Sequence, residues 1–94
     1  MLRAHLLTRP LCSACEDAKS WLPEWLRMRG VGVRVHDVST AEGLAWAAWL
    51  ELADLGVVPV LALVDDQRGE LCRYIGQVPS PAELRRVITG IANA

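Results

Sequence analysis

Thr8-Arg9-Pro10-Leu11-Cys12-Ser13-Ala14-Cys15 follows a short apolar run and precedes a long segment of helical periodicity. It therefore reads as a strand-to-helix turn carrying two cysteines in C-x-x-C spacing. Pro10 ends the strand because it has no N–H for a ladder, and it biases Arg9 towards extended backbone. Two thiols at the first turn of a helix face the same way. Unpaired backbone N–H groups and the positive end of the helix dipole favour a charged sulfur there. Thiols so placed ionise below the ~8.5 of a free cysteine, towards ~3.5–7.5. A thiolate attacks a disulfide, and its neighbour resolves the mixed disulfide by closing the ring. Cys12 precedes the helix and is the expected attacker, while Cys15 lies inside the first turn and is the expected resolving thiol.

Working outward from this turn, Ala4 to Thr8 reads as the first strand. The following helix runs from Ser13 to about Arg29, with Ala14, Ala18, Trp21, Leu22 and Trp25 at three-to-four spacing and Gly30 as its stop. Its cap is either Cys12 or, through a capping box with Glu16, Ser13. Pro23 inside this segment predicts a kink near Ser20 or two helical pieces. Val31 to Val38 alternates valine with Arg34 and His36, the period of a strand. Strand, helix and strand imply a parallel pair with a right-handed crossover, which puts the dithiol turn at the carboxyl end of the first strand.

Ser39-Thr40-Ala41-Glu42 reads as a second capping box, opening a helix to about Asp54 that closes at Gly56. Trp46, Trp49, Leu50 and Ala53 share one side of it, and Leu44, Ala48 and Leu52 widen the apolar band. Val57-Val58-Pro59 then leads into an apolar strand, Val60 to Val64. The turn-rich Asp65-Asp66-Gln67-Arg68-Gly69 connects it to Leu71–Ile75, making a hairpin. Ser80-Pro81-Ala82-Glu83 combines an N-cap serine, proline at the first helical position and glutamate at the third, opening a terminal helix to about Ile91.

Ninety-four residues suit one domain, 1–94, with a single packed core. Net charge is −1 and acidic and basic residues are interleaved, so there is no basic stripe to neutralise phosphates and no nucleic-acid partner is expected. The longest uncharged apolar run, Gly56 to Val64, contains a proline and falls far short of the ~20 residues of a membrane span. The start, Met1-Leu2-Arg3-Ala4-His5, lacks the apolar core and cleavage site of a signal peptide. Three cysteines, an odd number, suit a reducing compartment, and the expected location is cytoplasmic.

Other residues are weighed against plainer roles. A zinc site would need about four N or S ligands, and beyond the dithiol the chain offers Cys72, His5 and His36 without a second paired spacing. Cys72 reads as a small buried hydrophobe. His36 and Asp37, at a strand end, read as surface residues. Arg9 is a candidate to hold the thiolate or an anionic partner. Glu16 and Asp17 suit the helix dipole but oppose thiolate formation. Trp21, Trp25, Trp46 and Trp49 fall at helical spacing and read as core, with Trp46 and Trp49 a candidate homodimer or partner surface.

The element order, with C-x-x-C after the first strand and proline before the third, resembles the thioredoxin-like fold over essentially the whole chain. Within it, T-R-P-L-C-S-A-C resembles the turn of small glutaredoxin-like proteins, with Arg9 where that family often has a basic residue and Ser13-Ala14 in place of Pro-Tyr. The resemblance implies an α/β domain with a four-stranded mixed sheet of order 2-1-3-4 and three helices on its two faces. It implies a thiol-disulfide oxidoreductase with no bound cofactor, acting on protein or low-molecular-weight disulfides, with glutathione or a thioredoxin reductase as electron donor. Val58-Pro59 falls at the family's cis-proline, placing Pro59 beside the dithiol and the Val58 backbone against an extended substrate. Gly76 stands in the segment where the family binds glutathione. Two other readings remain: a peptide-binding module of the same fold without turnover, and a dimer sharing an iron–sulfur cluster.

Overall fold

A computed structural model describes residues 1–52 and 56–92. Among them the chain forms β1 (Leu2–Thr8), α1 (Ser13–Arg27), β2 (Gly32–Asp37), α2 (Ala41–Trp49), β3 (Val60–Asp65), β4 (Gly69–Ile75) and α3 (Pro81–Ala92). The sheet has the order β2-β1-β3-β4. β1 is parallel to β2 and antiparallel to β3, and β3 is antiparallel to β4. The expected order 2-1-3-4 is the observed one, with the strand that leads into the dithiol turn inside the sheet.

Side chains of β1 alternate between two cores because helices cover both faces. Ala4 and Leu6 join Leu61 and Leu63 of β3 beneath Ala18, Leu22 and Leu26 of α1 and Leu84 of α3. Leu7 joins Val60 and Ala62 beneath Ala47 of α2, with Leu50 and Leu52 just beyond that helix. Pro23 does not divide α1, which is continuous from Ser13 to Arg27. Its ring is buried among the core-facing residues of the helix, so packing compensates the hydrogen bond that proline cannot donate. α1 ends two residues before the expected Arg29, and Gly30, with φ of 77°, completes the turn into β2.

α2 departs most from its sequence pattern. Its cap is Thr40, whose Oγ1 accepts from the Gly43 amide at 3.0 Å. Ser39, the expected cap, instead gives its amide and hydroxyl to Asp37 Oδ1 at 2.9 and 2.6 Å, an Asx turn at the end of β2. The helix ends at Trp49, and Glu51 takes a left-handed φ of 61°. The expected end at Asp54, and Ala53, lie outside the described residues. The apolar band does not translate into burial, since Leu44, Ala48 and Trp49 are all exposed and only Gly43 and Ala47 within the helix are buried. β1, β3, β4 and α3 run slightly past their expected ends, and Ser80 Oγ accepts from the Glu83 amide at 3.3 Å, as its capping sequence requires.

Gly43 sets how closely α2 approaches the end of β2. A methyl added there would collide with the carbonyl of Asp37 and crowd the amide of Val38, both backbone atoms that cannot swing aside. Gly43→Ala is therefore expected to cost about 1–3 kcal/mol or more, as overpacking against fixed atoms does, despite alanine's better helix propensity. Urea unfolding of the two proteins measures it, and equal or greater stability of the variant would refute this account of the contact.

Candidate active site

β1 ends at Thr8, and the turn that follows carries Leu11 in a left-handed conformation, φ 58°, fully exposed beside Cys12. A leucine held there reflects a turn determined by the chain on either side, since the conformation is unfavourable for a side chain of that bulk. Cys12 then caps α1. Its Sγ accepts the Cys15 amide at 3.1 Å, and its carbonyl accepts the Glu16 amide at 3.0 Å. Of the two candidate caps, the helix uses the cysteine.

Cys12 and Cys15 are joined as a disulfide, with Cα atoms 5.2 Å apart. Cys12 is half-buried, whereas Cys15 is completely enclosed. The less buried of the two cysteines is thus also the one whose sulfur meets the helix N-terminus, where negative charge is favoured. Glu16 stands in the first turn, but Lys19 pairs with it at 2.8 Å and offsets part of its field.

Arg9, Val58, Pro59 and Gly76 are linked through one loop. Arg9 Nη1 donates to the Gly56 carbonyl at 3.2 Å, across the turn from the dithiol segment. The Val58–Pro59 peptide is cis, and Pro59 is fully buried. Gly76, with φ of 86°, donates its amide to the Pro59 carbonyl at 2.8 Å, so the end of β4 fastens the loop entering β3. Its bare Cα faces Val57, and a Cβ there would lie 3.4 Å from Val57 Cγ1. A depression of about 150 Å³ beside this loop is lined by Leu7, Arg9, Val38, Leu44, Val57 and Val58, among others.

Cys72, the third cysteine, is half-buried on β4 and packs against the core under α1 and α3. Burial pushes its thiol above the ordinary 9.0, an effect the Tyr74 hydroxyl partly offsets. The expected structural role agrees with this placement. His36 does not agree with its expected one: it is buried, 6 % exposed, and bonded to His5 on the α2 face of the sheet. Period-two phase was the available signal, since residues 34 and 36 share a side of β2 and α2 covers it. Trp49 is left 63 % exposed, and Trp46 lies half-buried over the two histidines. Among the described residues no group of three or more His, Cys, Asp or Glu is placed to hold a metal ion, and no helix is long and apolar enough to cross a membrane.

After reduction, limiting iodoacetamide near neutral pH is expected to label Cys12 first. Cys15 is enclosed, and Cys72 holds its proton more tightly than a free thiol. Mass mapping of the modified peptides decides the order, and earlier labelling of Cys15 or Cys72 would contradict it.

No protein-family model and no curated protein matches the chain. Solved structures do. Thioredoxin 1 from Thermosipho africanus superposes with a TM-score of 0.74 at 18% identity, covering 98% of this chain and 99% of that one. Thioredoxin-2, a component of the malaria parasite protein secretion machinery, gives 0.75 at 15% identity, covering 96% and 82%. Fasciola hepatica thioredoxin gives 0.70 at 19% identity, covering 94% and 78%. At these identities the likeness is one of architecture, and it agrees with the strand order and the helix placement: the chain has the thioredoxin-like fold.

Proposed function

We propose that the protein is a thiol-disulfide oxidoreductase of glutaredoxin-like kind, working through Cys12 and Cys15. The observation that carries this reading is the asymmetry of the pair: one cysteine is half-buried and caps the helix with its sulfur, its partner is enclosed, and the two are close enough to bond. In the reduced protein the Cys12 thiolate attacks a substrate disulfide, forming a mixed disulfide and expelling one substrate sulfur as thiolate. Cys15, deprotonated, then attacks the Cys12 sulfur. The Cys12–Cys15 disulfide forms, the second substrate sulfur leaves, and the substrate has gained two electrons. An external thiol such as glutathione, or a reductase, returns those electrons to the protein. The second step is intramolecular, so proximity favours it over attack by outside thiols.

The substrate lies along the loop of Val58 and Pro59, where the Val58 backbone is available to an extended chain. Arg9 and Gly76 shape that loop from its two sides through their bonds to Gly56 and Pro59. Fully exposed Leu11, next to Cys12, offers an apolar contact to a protein substrate.

The test is reduction of insulin or a small mixed disulfide, with glutathione or thioredoxin reductase supplying electrons in parallel assays. Cys12→Ser is expected to abolish turnover and trapping, Cys15→Ser to accumulate mixed disulfides with partners, and Cys72→Ser to retain activity within about twofold, since its site is remote in the chain and packed. Thiols that stay inert with both donors while the protein binds extended peptides tightly would replace this reading with that of a binding module.

A further inference from the structure

The α2 face of the sheet holds two histidines that thiol chemistry does not use. His5 of β1 and His36 of β2 are 4 % and 6 % exposed, with His5 Nδ1 and His36 Nε2 3.0 Å apart. Their ring centroids are 5.2 Å apart and their planes differ by 15°. Nitrogens that close, at that centroid separation, must both lie on the line joining the rings. The pair is thus bonded end to end in nearly one plane, not stacked face to face. Trp46 of α2 is 4.9 Å from each imidazole, so its indole spans the bridge, and Trp49 meets Trp46 edge-on at 5.4 Å. Thr8 Oγ1 donates to the His36 carbonyl at 3.2 Å, tying the strands together beside the pair.

An end-to-end bridge between two imidazoles has room for one hydrogen. In the neutral pair one ring donates and the other accepts. A first added proton goes to the outer nitrogen that lacks one, and the bridge survives as a charged hydrogen bond. A second must occupy the accepting nitrogen of the bridge, and then two N–H groups confront each other between two cations. We propose that His5, His36 and Trp46 form an acid-released latch between the sheet and α2, closed while the pair holds at most one extra proton and opened by the second. Opening withdraws support from Trp46 and loosens the helix that carries Trp46 and Trp49.

The surroundings set where this happens. Burial disfavours the charged form of both rings; Arg34 of β2 opposes it at both, and His36 and Arg3 of β1 add to the effect at His5. From α2, Glu42 works the other way on His36. β3 brings the uncharged Val60, Ala62 and Val64 to this face, and Arg73 of β4, on the far side of Ala62, is held by Glu70 and the Leu50 carbonyl. Both histidines therefore protonate below the ordinary 6.5. A depressed histidine contributes stability that is present above the unfolded value and lost as pH falls towards the folded one. Asp37, held below its ordinary 3.8 by Ser39, keeps its charge across that window and does not blur it.

The experiment is amide hydrogen exchange of the full chain near pH 7 and pH 5, corrected for intrinsic rates, with imidazole nitrogen spectra of the same samples. Protection of α2 relative to α3 is expected to fall about tenfold or more at the lower pH, the equivalent of one pKa unit in the coupling. A single bridging proton shared by His5 and His36 is expected near pH 7, to survive the first added proton and to be lost with the second. His36→Gln retains a polar partner but does not titrate, so no second proton can break the bridge and the pH dependence should shrink to what burial of His5 alone imposes. Acid loss unchanged in His36→Gln, or wild-type protection changing by less than about twofold, overturns the latch. If the variant does not fold, the wild-type spectra decide, because two histidines that titrate independently near 6.5 with no shared proton overturn it equally.

Discussion

β1 is hydrogen-bonded along both edges and covered on both faces, and the remainder of the molecule is arranged to meet that demand. A strand so enclosed must be apolar or have its polar groups hydrogen-bonded, and from Ala4 to Thr8 every residue is buried, with His5 bonded to His36 and Thr8 to the His36 carbonyl. Two separate cores result, one beneath α1 and α3 and the other beneath α2, each supplied by alternate residues of β1 and β3. Because the strand is anchored from four directions, the turn at its carboxyl end starts from a rigid base. A dithiol on such a turn has its geometry determined before any substrate arrives, which is where the preorganisation of a reactive pair comes from.

The cysteine that reaches solvent also caps the helix. A cap normally takes serine, threonine, aspartate or asparagine, whose oxygen accepts the free amides of the first turn. Sulfur is a weaker acceptor, so Cys12 gives α1 a poorer cap in its neutral form and a better one when charged. Helix stability and thiolate formation are therefore coupled through one atom. The loop opposite is built differently, with the Gly56 and Pro59 carbonyls accepting from Arg9 and the Gly76 amide.

The fold was legible because its signals are local and mutually consistent. C-x-x-C after a strand, the valine alternation of β2 and the proline-serine start of α3 each point to one element, and their order admits few topologies. α2 misled for a physical reason. Its composition is apolar nearly all round, but a helix lying on the edge half of a sheet buries one narrow face, and tertiary placement rather than periodicity selects Gly43 and Ala47 for contact. The choice between Ser39 and Thr40 as cap was equally undecidable from spacing, because Asp37 competes for the serine. His36 was misread because its period-two phase tells only that it shares a side of β2 with residue 34, not what lies above that side. Only the packing of α2, together with the parallel register that sets Arg34 opposite His5, reveals the pair.

The irregularity between β3 and β4 has an effect outside chemistry. Leu63 pairs with Cys72 and Val64 with Glu70, so Leu71 is an extra residue on a strand at the margin of the sheet. Such a residue bends the strand and interrupts the even row of amides and carbonyls that the outer side of β4 would otherwise present. A row of that kind is a template for a strand from another molecule. Displaced at Leu71, β4 offers a poor one, which guards a small apolar-rich protein against growing its sheet sideways into aggregates.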